Sequence, residues 1–404
     1  MQTAVAISLE NLEAYLGNLL AEAMQEGHQV ALWRKPKSNF LQIIIDTTGK
    51  TKRVSPQLEE LPSGFIIHPF LDQEDRQAIF LKANTYFKVD LNQDWEEQKE
   101  TLPPVKNQSP HTATAAVIRE HFVAWKGYSE GHQPIATTKE EFVTLVKKGI
   151  AAIGTGKLNK IVPARTKIVE LSEDFDLINA LKKLLAAYPN AFINFFHIPG
   201  LGSWLGATPE ILIQTKGTEF YTMSLAGTQK AQGDNPLKNV AWTQKEIEEQ
   251  ALVSRYIVDC FKKIRLREYE EHGPKTVVAG NLLHLRSDFK VDMKATNFPQ
   301  LGSVMLDLLH PTSAVCGMPR REAFDFLSRH ENFDRSLFAG YIGPVNVEEE
   351  TSIFVNLRTA RLLGNQAILF AGAGVTEDSD PEKEWEETEM KCEIIGRHLK
   401  NEKP

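Results

Sequence analysis

Ala191-Phe192-Ile193-Asn194-Phe195-Phe196-His197, Glu210-Ile211-Leu212-Ile213-Gln214 and Glu219-Phe220-Tyr221-Thr222-Met223-Ser224-Leu225 read as three strands in succession, with no helical pattern between them. Strands joined this way need no crossover and favour antiparallel pairing. Upstream, the pattern gives a helix at about Glu140 to Ile153, a strand from Lys160 to Val169 and a helix from Phe175 to Tyr188. Downstream, a long helix runs from near Thr243 to about Arg265, and Thr243-Gln244-Lys245-Glu246 forms a capping box at its start. Further strands fit Thr276 to Leu285, Phe338 to Val345, Thr351 to Leu363 and Gln366 to Gly372, before a last helix from Pro381 to Leu399. No βαβ repeat of regular period appears. That disfavours a Rossmann fold or a barrel and favours an α+β architecture on antiparallel sheets.

The first hundred residues hold a helix at about Leu9 to Glu26 and strands at Phe40 to Asp46 and Gly64 to Pro69. A polar stretch from Gln93 to Thr112, with Pro103-Pro104 and Ser109-Pro110, reads as a loop or linker. Residues 1–110 therefore form a β-rich N-terminal portion, and residues 138–400 carry every chemical motif.

A net charge of −7 and the lack of a long basic run argue against nucleic acid. Any anion this acidic chain binds must meet local arginine, lysine or metal. Cys260, Cys316 and Cys392 are too few and too scattered for a disulfide framework or a zinc site. The N-terminus lacks a basic region and a long apolar run, and no apolar run approaches the ~18 residues of a membrane span. A cytoplasmic protein with no membrane association is the expectation. Gly154-Thr155-Gly156-Lys157-Leu158 fails as a phosphate loop because leucine follows the lysine. Ala371-Gly372-Ala373-Gly374 fails as a dinucleotide fingerprint because Glu377 stands where the third small residue belongs.

Lys160, opening Lys160-Ile161-Val162-Pro163-Ala164-Arg165, and Glu210, closing Gly206-Ala207-Thr208-Pro209-Glu210, are a candidate base and acid. At ~100° per residue, Glu384, Glu387, Lys391 and Ile395 share one stripe of the last helix, with Thr388 and Ile394 close by. Glu382, Glu386, Glu389 and Glu393 take the opposite, solvated stripe. Carboxylates on an apolar face need a cation. One solution is a fringe of salt bridges from Glu384 and Glu387 to Lys391. The other is a metal shared with Glu249, which lies on the Leu252, Val253 and Tyr256 face of the long helix, Lys245 and Glu246 serving the helix start. Few carboxylates and no histidine partner suit Mg²⁺. Leu225-Ala226-Gly227-Thr228 and Ala371-Gly372-Ala373-Gly374 are tight turns or anion cradles, and Arg358 is either a surface strand residue or a carboxylate clamp.

Together with Leu309-His310-Pro311-Thr312 and Glu384-Trp385-Glu386-Glu387-Thr388-Glu389-Met390-Lys391, these blocks resemble the chorismate-utilising enzymes: the isochorismate, salicylate, anthranilate and aminodeoxychorismate synthases. The resemblance covers about Thr138 to Lys400. It implies a single large α+β (α/β) domain of two packed antiparallel-rich sheets with helices outside, the fold of anthranilate synthase component I. It implies Mg²⁺ held by Glu249 and Glu387, with Glu384 adjacent. It places Arg358, Gly372 and Lys391 at the substrate carboxylates, and Gly227, Thr228, His284, Ala314 and Val315 around the same cavity. Glu249-Gln250 departs from the family's usual Glu-His. Ammonia-using members usually carry glutamine where Lys160 stands, and aminodeoxychorismate synthases carry a lysine where Ala226 stands. The chain thus looks like a water-using member.

Leu309 to Gly317 resembles isochorismate synthase more than salicylate synthase. The implied activity is that of an isomerase: chorismate becomes isochorismate, a hydroxyl moving in net terms from C4 to C2 through addition of water, with Lys160 as base and Glu210 as acid. No glutaminase subunit is expected. Menaquinone biosynthesis is favoured over a siderophore pathway. The alternatives are a siderophore-pathway isochorismate synthase and a salicylate synthase, which also eliminates pyruvate.

Overall fold

A computed structural model describes residues 2–70, 77–106, 109, 111–122, 135–231, 237, 240–279 and 282–400. Two large sheets dominate. The first has eight strands in the order Thr85–Asp90, Phe40–Asp46, Gln29–Arg34, Phe192–Ile198, Gly202–Thr208, Thr359–Leu363, Gln366–Gly372 and Ala164–Glu170. The second has nine, in the order Glu270–Ala279, Leu282–Asp292, Glu219–Lys230, Ile211–Lys216, Glu350–Val355, Tyr341–Val345, Gly64–His68, Ala78–Lys82 and Lys52–Val54. The pairings between these strands are antiparallel. Strands near the N-terminus enter both sheets: Gln29–Arg34 pairs with Phe192–Ile198, and Gly64–His68 with Tyr341–Val345.

The sheets face each other across aromatic contacts, Trp33 with Phe65 (5.4 Å between ring centroids) and Phe192 with Phe354 (4.0 Å). Strand periodicity explains why Phe192–Ile198 is apolar throughout. Phe192 and Phe196 enter the inter-sheet core, while Ile193 and Phe195 belong to a second core on the other side. That second core includes Leu16 and Leu20 from helix Gln2–Gln25, Leu181 and Leu184 from helix Leu177–Ala187, and Ile394 and Ile395 from helix Pro381–Leu399. Helix Gln244–Lys263 covers the second sheet, Phe261 meeting Phe220 and Phe289. No described helix is long and apolar enough to cross a membrane.

Three expected strands divide. Lys160 to Val169 breaks at Val162-Pro163: Lys160–Ile161 pairs with Gly317–Met318, and Ala164–Glu170 forms an edge of the first sheet. Proline has no N–H to continue a ladder. Thr276 to Leu285 spans two strands of a hairpin, Glu270–Ala279 and Leu282–Asp292, joined through residues 280–281, which lie outside the described residues. Thr351 to Leu363 separates into Glu350–Val355 of the second sheet and Thr359–Leu363 of the first. Arg358 therefore sits in the link and not within a strand, at φ 47.

Strand Gly202–Thr208 and helices Leu301–Leu309 and Arg320–His330 were not separately expected. The stretch from Gln93 to Thr112 holds a short helix, Trp95–Gln98, and the start of helix His111–Glu120; residues 107, 108 and 110 lie outside the described residues.

Candidate active site

The chain changes sheets twice at one place. Gly202–Thr208 leads through Pro209-Glu210 into Ile211–Lys216, and Glu350–Val355 leads through Asn356-Leu357-Arg358 into Thr359–Leu363. The crossings are laced together. Ala207 N donates to the Arg358 carbonyl at 2.9 Å, Val355 N to the Glu210 carbonyl at 3.0 Å, and Thr208 Oγ1 to the Val355 carbonyl at 2.7 Å. A non-glycine residue at positive φ is costly and persists where its surroundings fix it, as at functional sites. Here the two crossings deliver an acid and a guanidinium to the same spot.

Glu210 is buried, and burial raises its pKa from 4.5 to about 7, against the pull of Arg358, Lys160 and Lys391. Burial lowers the pKa of Arg358, opposed by Glu387 and Glu210. These mutual influences place residues 160, 210, 358, 387 and 391 in one electrostatic cluster. A cavity of about 40 Å³ lies beside it, bordered by Ala314, Val315, Arg335, Arg358, Gly372 and Lys391.

Lys160 is fully buried, and its Nζ donates to Glu249 Oε1 at 2.9 Å. Its strand is flanked on one side by Gly317–Met318 and on the other by Val375, whose N–H reaches the Ile161 carbonyl at 2.8 Å. Gly374 must be small: a Cβ there would lie 2.2 Å from Glu249 Oε1 and 3.1 Å from Lys160 Cε.

Gly227 and Thr228 occupy a register break in strand Glu219–Lys230, opposite His284 in Leu282–Asp292. Gly227 takes φ 69, and its carbonyl accepts from His284 Nδ1 at 2.7 Å, which leaves Nε2 as a buried acceptor. Burial first, then the Arg358 charge, pushes the His284 pKa down to about 3. This histidine is neutral throughout the physiological range.

The three candidate metal ligands each meet a lysine. Glu249 pairs with Lys160, Glu387 with Lys391 at 2.6 Å, and Glu384 with Lys245. Glu387 makes the Lys391 pair that the salt-bridge alternative named, while Glu384 takes a different partner. Lys391 also donates to the Gly372 carbonyl at 2.7 Å. Glu246 does cap the helix start, accepting from Thr243 N at 2.7 Å, but Lys245 turns to Glu384 and also feels Glu387 and Glu249. Burial and then Glu387 raise the Glu384 pKa to about 7; Glu249, held by Lys160, is lowered despite its burial.

As the side chains stand they form ion pairs, and no set of three His, Cys, Asp or Glu among the described residues is assembled as a metal centre. The donors nevertheless fit a hard divalent ion: Glu384 and Glu387 of the last helix are close enough that one raises the other's pKa, and Lys245 feels both of them together with Glu249 of the long helix. On the solvated stripe, Glu389 departs from expectation by accepting from Arg165 and Lys167.

Sequence reasoning missed Lys245, Gly374 and the Glu331–Arg335 pair. Lys245 was within reach, since it precedes Glu249 by one helical turn on the same face. Gly374 lies in a stretch read as a tight turn or anion cradle, whereas the structure makes it the space against which Glu249 and Lys160 pack.

Comparison with known proteins now assigns the class. The chorismate binding enzyme family has a model that matches residues 19–400, and the chain belongs to that family. It is 31% identical over 276 residues to isochorismate synthase EntC of Escherichia coli strain K12, covering 66% of this chain and 68% of that one. Similarity to isochorismate synthase MenF of the same strain is 28% over 271 residues, covering 65% and 60%. The solved structure of the Escherichia coli menaquinone-specific enzyme MenF superposes with a TM-score of 0.69 at 20% identity over 92% of this chain and 88% of that one. Anthranilate synthase component I of Streptococcus pneumoniae superposes at 0.62 with 18% identity, covering 92% of each. The two-sheet α+β fold is therefore the fold of these enzymes.

Proposed function

We propose that the protein is an isochorismate synthase, converting chorismate to isochorismate by adding water at C2 and expelling the C4 hydroxyl. The observation that carries this reading is the burial of Lys160 and Glu210 in one cluster with Arg358 and Lys391. Glu210, with a pKa near 7, is substantially protonated at neutral pH and suits the role of acid to the departing hydroxyl. Lys160 serves as the base that takes a proton from water, which requires the neutral amine and hence a loosening of its pairing with Glu249. Arg358 and Lys391 are the cations for the substrate carboxylates. Lys391, which now pairs with Glu387 and donates to the Gly372 carbonyl beside the cavity, would exchange these partners for a substrate carboxylate. Glu249 and Glu387, with Glu384 adjacent, would hold Mg²⁺, which would anchor a substrate carboxylate and neutralise charge. His284 Nε2 is a neutral acceptor for a substrate hydroxyl.

The reading further places the protein in the cytoplasm, acting without a glutaminase subunit, and in menaquinone rather than siderophore synthesis. The names of relatives point both ways: MenF is named menaquinone-specific, and a Vibrio cholerae relative is named vibriobactin-specific. Incubation with chorismate and Mg²⁺, followed by chromatography, tests the activity. Isochorismate without pyruvate supports it; pyruvate with salicylate favours the salicylate synthase alternative, and unchanged chorismate rejects both.

A further inference from the structure

One buried ion pair stands behind the cavity without a role in the chemistry above. Arg335 and Glu331 make a two-point contact, Nε to Oε2 at 2.8 Å and Nη2 to Oε1 at 2.6 Å, with both side chains almost fully covered. Their remaining bonds run into active-site backbone. Arg335 Nη2 donates to the Val162 carbonyl at 2.7 Å and Nη1 to the Val315 carbonyl at 2.9 Å, while Glu331 Oε1 accepts from Ala164 N at 2.9 Å. The guanidinium carbon lies 4.2 Å over the Phe70 ring. Val162 and Ala164 flank Pro163, where the strand that carries Lys160 breaks, and Val315 is a wall of the cavity.

We infer that Glu331 and Arg335 are a positioning pair, which fixes the Lys160 strand against the Ala314-Val315 wall and so sets the base relative to bound substrate. The inference rests on the isochorismate synthase reading. Backbone bonds tie this segment on both sides, Val162 N to the Cys316 carbonyl at 2.9 Å and Ala373 N to the Pro163 carbonyl at 3.1 Å, but Pro163 itself offers no N–H. The fork adds bonds to the Val162 and Val315 carbonyls and the Ala164 N–H: one planar group reaches two carbonyls on different segments while a carboxylate orients it. Arg335 borders the cavity, yet four of its N–H groups already have acceptors, which argues for support and against substrate contact. Lysine cannot reproduce the geometry, since one ammonium lacks the planar spread of a guanidinium.

The test is Arg335→Lys, with Glu331→Gln as a second variant, each read by steady-state kinetics and by hydrogen–deuterium exchange of peptides spanning residues 158–166 and 312–318. For Arg335→Lys the expected result is a fall in kcat of at least about tenfold with KM within about threefold, since small misplacements of catalytic groups cost rate. Exchange should rise in those two peptides and stay unchanged in the Phe192–Ile198 strand. Glu331→Gln should move both readouts the same way by less, and it decides the matter where the lysine variant does not fold. Unchanged kcat in folded variants, or unchanged exchange in those peptides, overturns the inference. If wild-type protein leaves chorismate untouched, the proposed activity fails, and the exchange measurement still decides the structural role of the pair.

Discussion

Replacing Glu210 by glutamine separates catalysis from stability in a way few substitutions do. Burial raises this carboxyl from 4.5 to about 7, so the folded protein holds the Glu210 proton more tightly than the unfolded chain does. A raised acid pKa contributes stability in full below about 4.5, and that contribution is lost as pH rises towards 7. At about 1.4 kcal/mol per pH unit the loss approaches roughly 3 kcal/mol by pH 8. Glutamine keeps the shape and never ionises. The stability of Glu210→Gln relative to wild type should therefore rise by about 2.5 kcal/mol between pH 5 and pH 8. For a chain of 404 residues this is about 3 °C in Tm, taking ~2.1 cal/mol/K per residue. Turnover should be abolished at every pH. Differential scanning fluorimetry of both proteins across that range, beside chorismate kinetics, makes the comparison. A Tm difference that stays flat with pH, or near-native turnover, would refute the burial and the role together.

Wild-type kcat/KM should fall as pH rises through about 7, because the acid must carry its proton, and a profile rising through that range removes Glu210 as the acid. Gly374→Ala should cut activity by about 100-fold while the fold survives, because its Cβ would enter the space of Glu249 Oε1; activity within twofold of wild type contradicts the packing around the Lys160–Glu249 pair. Glu387→Ala should weaken Mg²⁺ activation and binding, followed by titration calorimetry; unchanged magnesium behaviour takes that residue out of the metal site. Lys160→Ala should abolish turnover and also destabilise the protein by about 2 kcal/mol, since it removes the hydrogen-bonded partner of the half-buried Glu249; a variant as stable and active as wild type rejects both roles.

Much of the architecture was legible in local pattern. The last helix, the Gln366–Gly372 strand and the capped start of the long helix matched because each depends on signals within a few residues. What escaped was the crossing between sheets. Thr351 to Leu363 is apolar and β-branched enough to look continuous, and only the tertiary fold makes Arg358 turn at positive φ. Lys160 to Val169 offered Pro163 as a warning that the apolar run overrode.

The site was legible in part. Inward glutamates stand out on a helical wheel because buried carboxylates are costly. Their lysine partners could not all be read off, because Lys245 meets Glu384 from another helix, 139 positions away in sequence. Arg335 and Glu331 lie outside every motif, since their work is done on the backbone carbonyls and N–H of other segments.

In the proposed reaction Lys160 activates water while Glu210 protonates the departing hydroxyl, and isotopic labelling tests that step directly. Wild-type protein, chorismate and Mg²⁺ are combined in H₂¹⁸O, and the product of the first turnovers is taken for mass spectrometry. Water addition at C2 predicts isochorismate carrying one ¹⁸O at that carbon. Isochorismate without the label, or an aminated or unchanged substrate, would contradict it.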